Sequence, residues 1–369
     1  MSDFDIAIVG AGIAGASLAA AIGAERKTVL LEAESAPGYH STGRSAAFWS
    51  ETYGGPGVQP LTSASGPFLS APPEDFCEGP LLRPRGCLHL GQGKDAAEVQ
   101  AMLDDFARSG VALERLDAQG IAQHLTGLRD GWSEALWEPD CCDIDVAALH
   151  AGYLKAARRA GAQLICHAPL EKAELKGERW ELQAGGCKYT ADILINAAGA
   201  WADPVAALAG VQSLGITPYR RTIMQLAIEP AAPADLPLVV GLDGSFYFKP
   251  EAGGKLWLSP HDEIACDPCD AAPEEMDVAL AIERFGEVVD WRITRLERKW
   301  AGLRSFAPDR LPVIGYDPDC PAFFWLAGQG GFGIQTAPAA AAMAAALLLH
   351  RPNPVAGTSF ETYAPERFR

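Results

Sequence analysis

Ile6-Ala7-Ile8-Val9 is a short, wholly apolar run, and Gly10-Ala11-Gly12-Ile13-Ala14-Gly15 follows it without a break. The apolar run reads as a buried strand, the alanine-rich stretch Ala16 to Ala24 as a helix, and Thr28-Val29-Leu30-Leu31 as a second strand ending at Glu32. Strand, glycine loop, helix, strand and terminal acid in this order make a dinucleotide-binding βαβ unit. Gly10 allows the tight turn, Gly12 lets the backbone approach a pyrophosphate, and Gly15 lets helix and strand pack closely. The helix N-terminus offers unpaired N–H groups and a positive dipole end to the phosphates. Glu32, about twenty residues on, is placed to hydrogen-bond a ribose.

A chain of 369 residues has room for two domains, each with its own core. Charged residues at 21% and hydrophobic ones at 49% describe a globular protein. The net charge of -17 argues against a nucleic-acid partner, which a basic patch would announce. The first apolar segment is already the nucleotide-binding strand, so no leader peptide is read. Ala337 to Leu349, the longest apolar run, is too short to span a bilayer and contains Pro338. A cytoplasmic protein is expected. Nine cysteines without a repeated spacing suit reduced thiols. Cys266-Asp267-Pro268-Cys269 lacks the second pair that a zinc site needs, so no metal is expected.

After Glu32 the loop Ala36 to Ala47 is rich in small and hydroxyl residues, which suits the edge of a large planar ring. His40 within it reads as a hydrogen-bonded loop histidine. Pro56 to Pro84 is rich in proline and glycine and marks a departure from the first domain. Helices are expected over Ala96 to Ser109, near Asp117 to Leu125, and from the N-cap Asp145 through Ala160. Short strands follow at Leu164 to His167, Glu171 to Leu175, Trp180 to Gln183 and Lys188 to Thr190. Ile193-Leu194-Ile195 is a further buried strand that runs into the small-residue corner Asn196 to Trp201. Strand-like Thr222 to Ile228 and Ser245 to Lys249 belong elsewhere. So do a helix over Pro273 to Val289 and the basic run Arg292 to Lys299 ahead of Trp300 to Ser305. The strand Phe323 to Ala327 returns to the first domain. It meets the glycine corner Gly328 to Thr336 and an alanine-rich helix, Pro338 to His350. Such a corner points backbone N–H groups and a second positive dipole end at a ligand.

Gly38 to Ala47, Asp143 to Tyr153, Asn196 to Trp201, Ser245 to Pro250, Trp300 to Phe306 and Gly328 to Thr336 together resemble the D-amino acid oxidase, glycine oxidase and sarcosine oxidase family of FAD enzymes. Within it the nearest likeness is to bacterial FAD-dependent D-arginine dehydrogenases. The resemblance implies an α/β fold: a glutathione-reductase-type, Rossmann-like FAD-binding domain with an inserted α+β substrate domain built on a mixed or antiparallel sheet. The FAD domain would comprise 1–47, 140–215 and 305–369, and the substrate domain 48–139 and 216–304.

By that resemblance the adenine half of FAD lies along Gly10, Gly12, Ile13, Ala14, Gly15 and Glu32. The corner Ala198, Gly199 and Trp201 touches the cofactor. The isoalloxazine lies along Ser41, Thr42, Gly43, Arg44, Ser45 and Ala46, and along Gly330, Gly331, Phe332, Gly333, Ile334, Gln335 and Thr336. A flavin accepting hydride at N5 gathers negative charge near N1 and the C2 carbonyl, where a helix N-terminus favours reduction. The FAD is expected to be noncovalent, because covalent members use a cysteine near the segment around Gly302 and none stands there. Arg221, Tyr247 and Arg304 would clamp a substrate carboxylate, since guanidinium meets carboxylate with two parallel hydrogen bonds and a phenol adds a third. Tyr53 matches a tyrosine over the active site, and Gly54-Gly55 suggest a mobile lid.

Departures shape the substrate expectation. Cys87 stands where a glutamate would pair with a guanidinium, and Phe48 where a histidine is expected. A thiol does not compensate a buried cation, so D-arginine is disfavoured. With Phe48, Cys87, Leu238, Val240 and Gly331 as wall, the pocket reads as apolar and suits an aliphatic or aromatic D-amino acid. The expected reaction is FAD-dependent oxidative deamination, with electrons passed to a quinone, another carrier or oxygen. A sarcosine, glycine or cyclic imino acid oxidase or dehydrogenase is the alternative.

Overall fold

The structure is a computed structural model that describes residues 2–369. At its centre the strand Ser2–Val9 pairs in parallel with Thr28–Leu31 on one side and with Cys187–Asn196 on the other. Gln163–Ile165 extends the sheet beyond Thr28–Leu31, and Phe323–Ala327 adds a parallel strand to the far edge of Cys187–Asn196. Val313–Tyr316 and the Leu170–Lys176/Arg179–Ala184 hairpin complete it with antiparallel pairings. Ile6 and Ile8 point to one face, into a core with Leu18, Ile22, Phe324 and Met343. Ala7 and Val9 point to the other, with Trp180, Leu194, Phe323 and Trp325. That double burial explains why these strands are continuous apolar runs rather than alternating ones.

Three helices, Ile13–Ile22, Val146–Arg159 and Gly333–Leu348, cover the first face. The nucleotide helix begins at Ile13, three residues before the expected start, because extended Gly12 already serves as N-cap. Gly15 therefore lies in the first turn, where an added Cβ would stand 2.0 Å from the Gly10 carbonyl oxygen. The last long helix likewise starts at Gly333 rather than Pro338. Thr336 N–H closes its first turn on the Phe332 carbonyl at 3.1 Å, and Pro338 falls inside the helix. Lys188 to Thr190 and Ile193 to Ile195 are one strand, Cys187–Asn196; exposed Asp192 between them pairs with Arg179 at 2.7 Å.

Pro56 to Pro84 hides a helix, Gln59–Ser70, with Pro60 in its first turn and Pro67 inside it. This helix falls in the stretch attributed to the substrate domain, yet Leu61 packs into the core under the first sheet. Ser65 Oγ also accepts the Ala339 N–H at 3.1 Å. A proline count reads as loop where helix–helix packing in fact prevails.

The second sheet is mixed. Its spine is the long antiparallel pair Thr217–Glu229 and Arg292–Phe306, where a basic run was read only as a lead-in. Lys255–Ser259, Tyr247–Glu251, Leu238–Gly241, Cys87–Gln92, Trp132–Glu138 and Glu114–Leu116 follow across the sheet. Leu238–Gly241 and Cys87–Gln92 run parallel. Leu88, Leu90, Val239 and Phe248 face a core shared with the helix Glu275–Val288. By the two-residue period of strands, Cys87, Val240 and Tyr247 face the other way, toward the first sheet. The short strand Gln329–Gly330 pairs with the end of Arg292–Phe306 and so joins the glycine corner to the second sheet. Among the described residues no helix is long and apolar enough to cross a membrane.

The Gly15 contact yields a prediction. Gly15→Ala forces a methyl into the Gly10 carbonyl, and overpacking of this kind costs about 1–3 kcal/mol. Urea unfolding should show that loss, together with a lower flavin content after purification.

Candidate functional site

A cavity of about 690 Å³ opens between the carboxyl ends of the parallel strands and the inner face of the second sheet. Such a switch-point crevice is where open α/β sheets bind ligands. Gly10, Gly12, Ile13, Ala14, Glu32, Ser41, Thr42, Arg44, Ser45, Ala46, Ala198, Gly199 and Trp201 line it, as do Gly330 to Gln335. Three of the expected contacts do not. Gly15 packs behind the loop against Gly10, and Gly43 closes the turn through its N–H to the Gly38 carbonyl at 2.7 Å. Thr336 is buried and bonds its hydroxyl to the Phe332 carbonyl at 2.9 Å.

At the nucleotide end Gly10 has φ of +98°, and a Cβ there would meet the Ala197 carbonyl oxygen at 2.5 Å. Only glycine turns the chain here with room to spare for a ligand. Glu32 Oε2 accepts the Ala11 N–H at 2.9 Å and Oε1 accepts the Glu34 N–H at 3.0 Å, so the carboxylate is locked to the loop. Each oxygen keeps lone pairs for ribose hydroxyls. Thr42 Oγ1 accepts the Ile13 N–H at 3.0 Å, tying the second loop to the helix start. His150 bonds Ala11 O at 2.9 Å; burial lowers its pKa, so it is neutral and donates. His40 pairs its Nε2 with Glu34 at 2.8 Å and lies tilted against Trp201, while its Nδ1 is buried without a partner among the described residues. A glycine cradle, a locked acid and an orphan ring nitrogen fit an adenine dinucleotide.

Arg44 lines the cavity, and its guanidinium donates to the Ala271 and Ala301 carbonyls, at 2.9 and 3.1 Å, and to Asp270. Ser41 spends its hydroxyl on the Leu303 carbonyl at 2.7 Å. Both side chains fasten this loop to the second sheet.

At the other end Arg221, Tyr247, Arg304 and Tyr53 all line the cavity. Arg221 is only 5% exposed and donates Nε–H to the Asp262 carbonyl at 2.7 Å. Arg221 Nη2 and Arg304 Nη1 each lie 3.3 Å from Glu263 Oε1, and Arg310 Nη2 lies 2.9 Å from both Glu263 oxygens. Burial, and then the charge of Arg310, pull Arg304 down to about 9, still cationic at neutral pH. A buried cation short of countercharge gains from any carboxylate that enters. Arg304 rests on Gly331, where a Cβ would stand 1.7 Å from a guanidinium nitrogen, and over the Tyr53 ring at 5.6 Å. Gln335 holds the Tyr53 carbonyl at 3.2 Å and the Ser50 N–H at 3.0 Å. His261, pushed down to about 4 by burial and by Arg221, is a neutral imidazole that donates Nδ1–H to the Gly244 carbonyl.

Phe48, Cys87 and Val240 form the remaining wall, but Leu238 does not reach it; it is fully buried behind Cys87. Burial raises the Cys87 pKa, so it stays a neutral thiol. The wall is also less apolar than its sequence suggested, for Ser50, Thr52 and His89 line it too. Behind them Glu138 accepts from Ser50 Oγ, Thr52 Oγ1, the Glu51 N–H and His89 Nε2, at 2.9, 2.8, 2.7 and 3.1 Å. Burial opposes ionisation of Glu138, but these hydrogen bonds outweigh it and hold its pKa low. Glu263, His261, His89 and Glu138 went unnoticed in sequence because no motif spacing connects them.

Two substitutions test the geometry. Glu32→Ala strips acceptors from two backbone N–H groups and should weaken FAD binding by about 10- to 100-fold in a fluorescence titration. Gly331→Ala should displace the Arg304 guanidinium and raise KM about tenfold or more with FAD content kept.

Residues 5–347 match the family described as FAD dependent oxidoreductase (DAO). FAD-dependent oxidoreductase domain-containing protein 1 of Xenopus laevis is 26% identical over 42% of this chain, which spans only 34% of that protein. Glycine oxidase of Geobacillus kaustophilus (strain HTA426) is 24% identical over 91% of this chain and 90% of its own. The crystal structure of L-proline dehydrogenase from P. horikoshii shares the fold with a TM-score of 0.87, at 20% identity and covering 100% of this chain and 98% of that one. The family match covers most of the chain, including the dinucleotide cradle at its start and the glycine corner near its end, and the chain belongs to the DAO family of FAD-dependent oxidoreductases.

Proposed function

We propose that the chain oxidises a small amino acid at its amine-bearing carbon, D-amino acids foremost, giving an imino acid that hydrolyses to a 2-oxo acid and ammonia. The observation that carries this is the convergence of Arg221 and Arg304, each 3.3 Å from the same carboxylate oxygen of Glu263, beside Tyr247 at the cavity wall. Two guanidiniums already gathered around a carboxylate are organised for a second one. Bound FAD supplies the acceptor for the hydride that leaves Cα. The residues here contribute alignment: the clamp fixes the carboxylate, Gly331 leaves room for Arg304, and Tyr53 and Phe48 close over the substrate against water. Neutral Cys87 supports the exclusion of a guanidinium side chain, and Phe48 and Val240 favour one of modest size.

A glycine, sarcosine or cyclic imino acid substrate is the second reading. It is favoured by the glycine oxidase relative and by the fold shared with an L-proline dehydrogenase. The same clamp serves it, because these substrates carry the same carboxylate.

Anaerobic flavin bleaching against D- and L-amino acids, glycine, sarcosine and proline distinguishes the readings. Rapid bleaching by D-amino acids other than D-arginine is expected; bleaching by glycine, sarcosine or proline alone would select the second reading. Arg221→Lys should raise KM by about 10- to 100-fold, since a point charge replaces the planar fork. If no amino acid bleaches the flavin, the clamp has been misassigned.

A further inference from the structure

Beyond the clamp the cavity wall carries a hydrogen-bonding group whose capacity is not used up, His89. Val240 is in register with Tyr247 on one neighbouring strand and with His89 on the other. The three side chains therefore share the cavity face, with His89 two strands, roughly 10 Å, from Tyr247. Val240 and His89 thus lie on the cavity face that leads away from Tyr247, where the side chain of a substrate clamped by its carboxylate would run.

His89 is held rigidly. Its Nε2 lies 3.1 Å from Glu138 Oε2 and 3.3 Å from Thr52 Oγ1. Glu138 is 1% exposed, and its carboxylate also accepts from Ser50, Thr52 and the Glu51 N–H, so it needs Nε2 as a donor. His89 Nδ1 has no hydrogen-bond partner among the described residues and is not sealed off, and the residue lines the cavity. Cys87, His89 and Glu138 bring their ligand atoms within 4.8 Å of one another, but the carboxylate already takes four donors, which an ion would have to displace.

We propose that His89, oriented by Glu138, sets specificity in this pocket by reading a hydroxyl or carboxamide on the substrate side chain. Either group both donates and accepts, so it satisfies Nδ1, and the remaining apolar wall of Phe48, Cys87 and Val240 packs the carbon stem. An isosteric hydrocarbon side chain leaves Nδ1 desolvated and unpaired. This inference rests on the amino acid reading of the clamp.

Near-isosteric pairs test it on the FAD-loaded protein. D-asparagine and D-threonine should reduce the flavin with kcat/KM about tenfold or more above D-leucine and D-valine respectively. Binding without turnover is read by calorimetry with the amine-free pair succinamate and 4-methylpentanoate, and succinamate should bind tighter by a similar factor. His89→Leu should bring both ratios near one, and His89→Gln, which keeps a hydrogen-bonding end, should restore part of them. Wild-type preference for the hydrocarbon member, or ratios unchanged in a folded, FAD-replete His89→Leu protein, would overturn the role of His89. If no amino acid reduces the flavin, the proposed reaction fails, while the calorimetric ratio still judges His89.

Discussion

Backbone must approach backbone with nothing between them at the end of the strand Ser2–Val9. Gly10 runs against the Ala197 carbonyl, and Gly15 against Gly10 itself, at separations that no side chain survives. This close approach brings the helix N-terminus to the strand end and leaves its dipole free for a phosphate. Glu32 bonds the Ala11 N–H, Thr42 the Ile13 N–H and His150 the Ala11 carbonyl, so three distant segments converge on one loop.

The opposite wall answers a different demand, the placing of cations where water is scarce. Arg221 and Arg304 sit on the two longest strands of the second sheet, whose register puts Arg221 opposite Gly302 and Arg304 opposite Tyr219. Extended ladders of this length hold side chains more firmly than loops do. Glu263 and Asp262 compensate part of the charge and Arg310 adds to it, so three guanidiniums face two carboxylates. That imbalance favours an incoming carboxylate, and the charge of Arg310 adds to burial, the larger cause, in lowering the pKa of Arg304. Arg44, Ser41 and Gln335 act between the two walls, fastening the cofactor loop to the second sheet and the Ser50–Tyr53 segment to the last long helix.

The sequence alone determined the βαβ unit, the parallel sheet's strands, the glycine corners and the family resemblance with its FAD. Each rests on local patterns, namely apolar runs, glycine spacing and caps such as Asp145, whose side chain does accept the Ala148 N–H at 2.9 Å. It also singled out Arg221, Tyr247, Arg304 and Tyr53, which the fold gathers around one cavity although they span 53 to 304 of the chain. Tertiary structure alone decided the start of the helix at Gly333, the helix inside Pro56 to Pro84, the withdrawal of Leu238 from the cavity and the anchoring of Arg44 on Ala271, Ala301 and Asp270. It alone joined Glu138 to His89 and Glu263 to three arginines. The reason is physical: a local pattern reports which face of an element is apolar, whereas the partner of a polar group is chosen by whichever distant strand packing brings within about 3 Å of it.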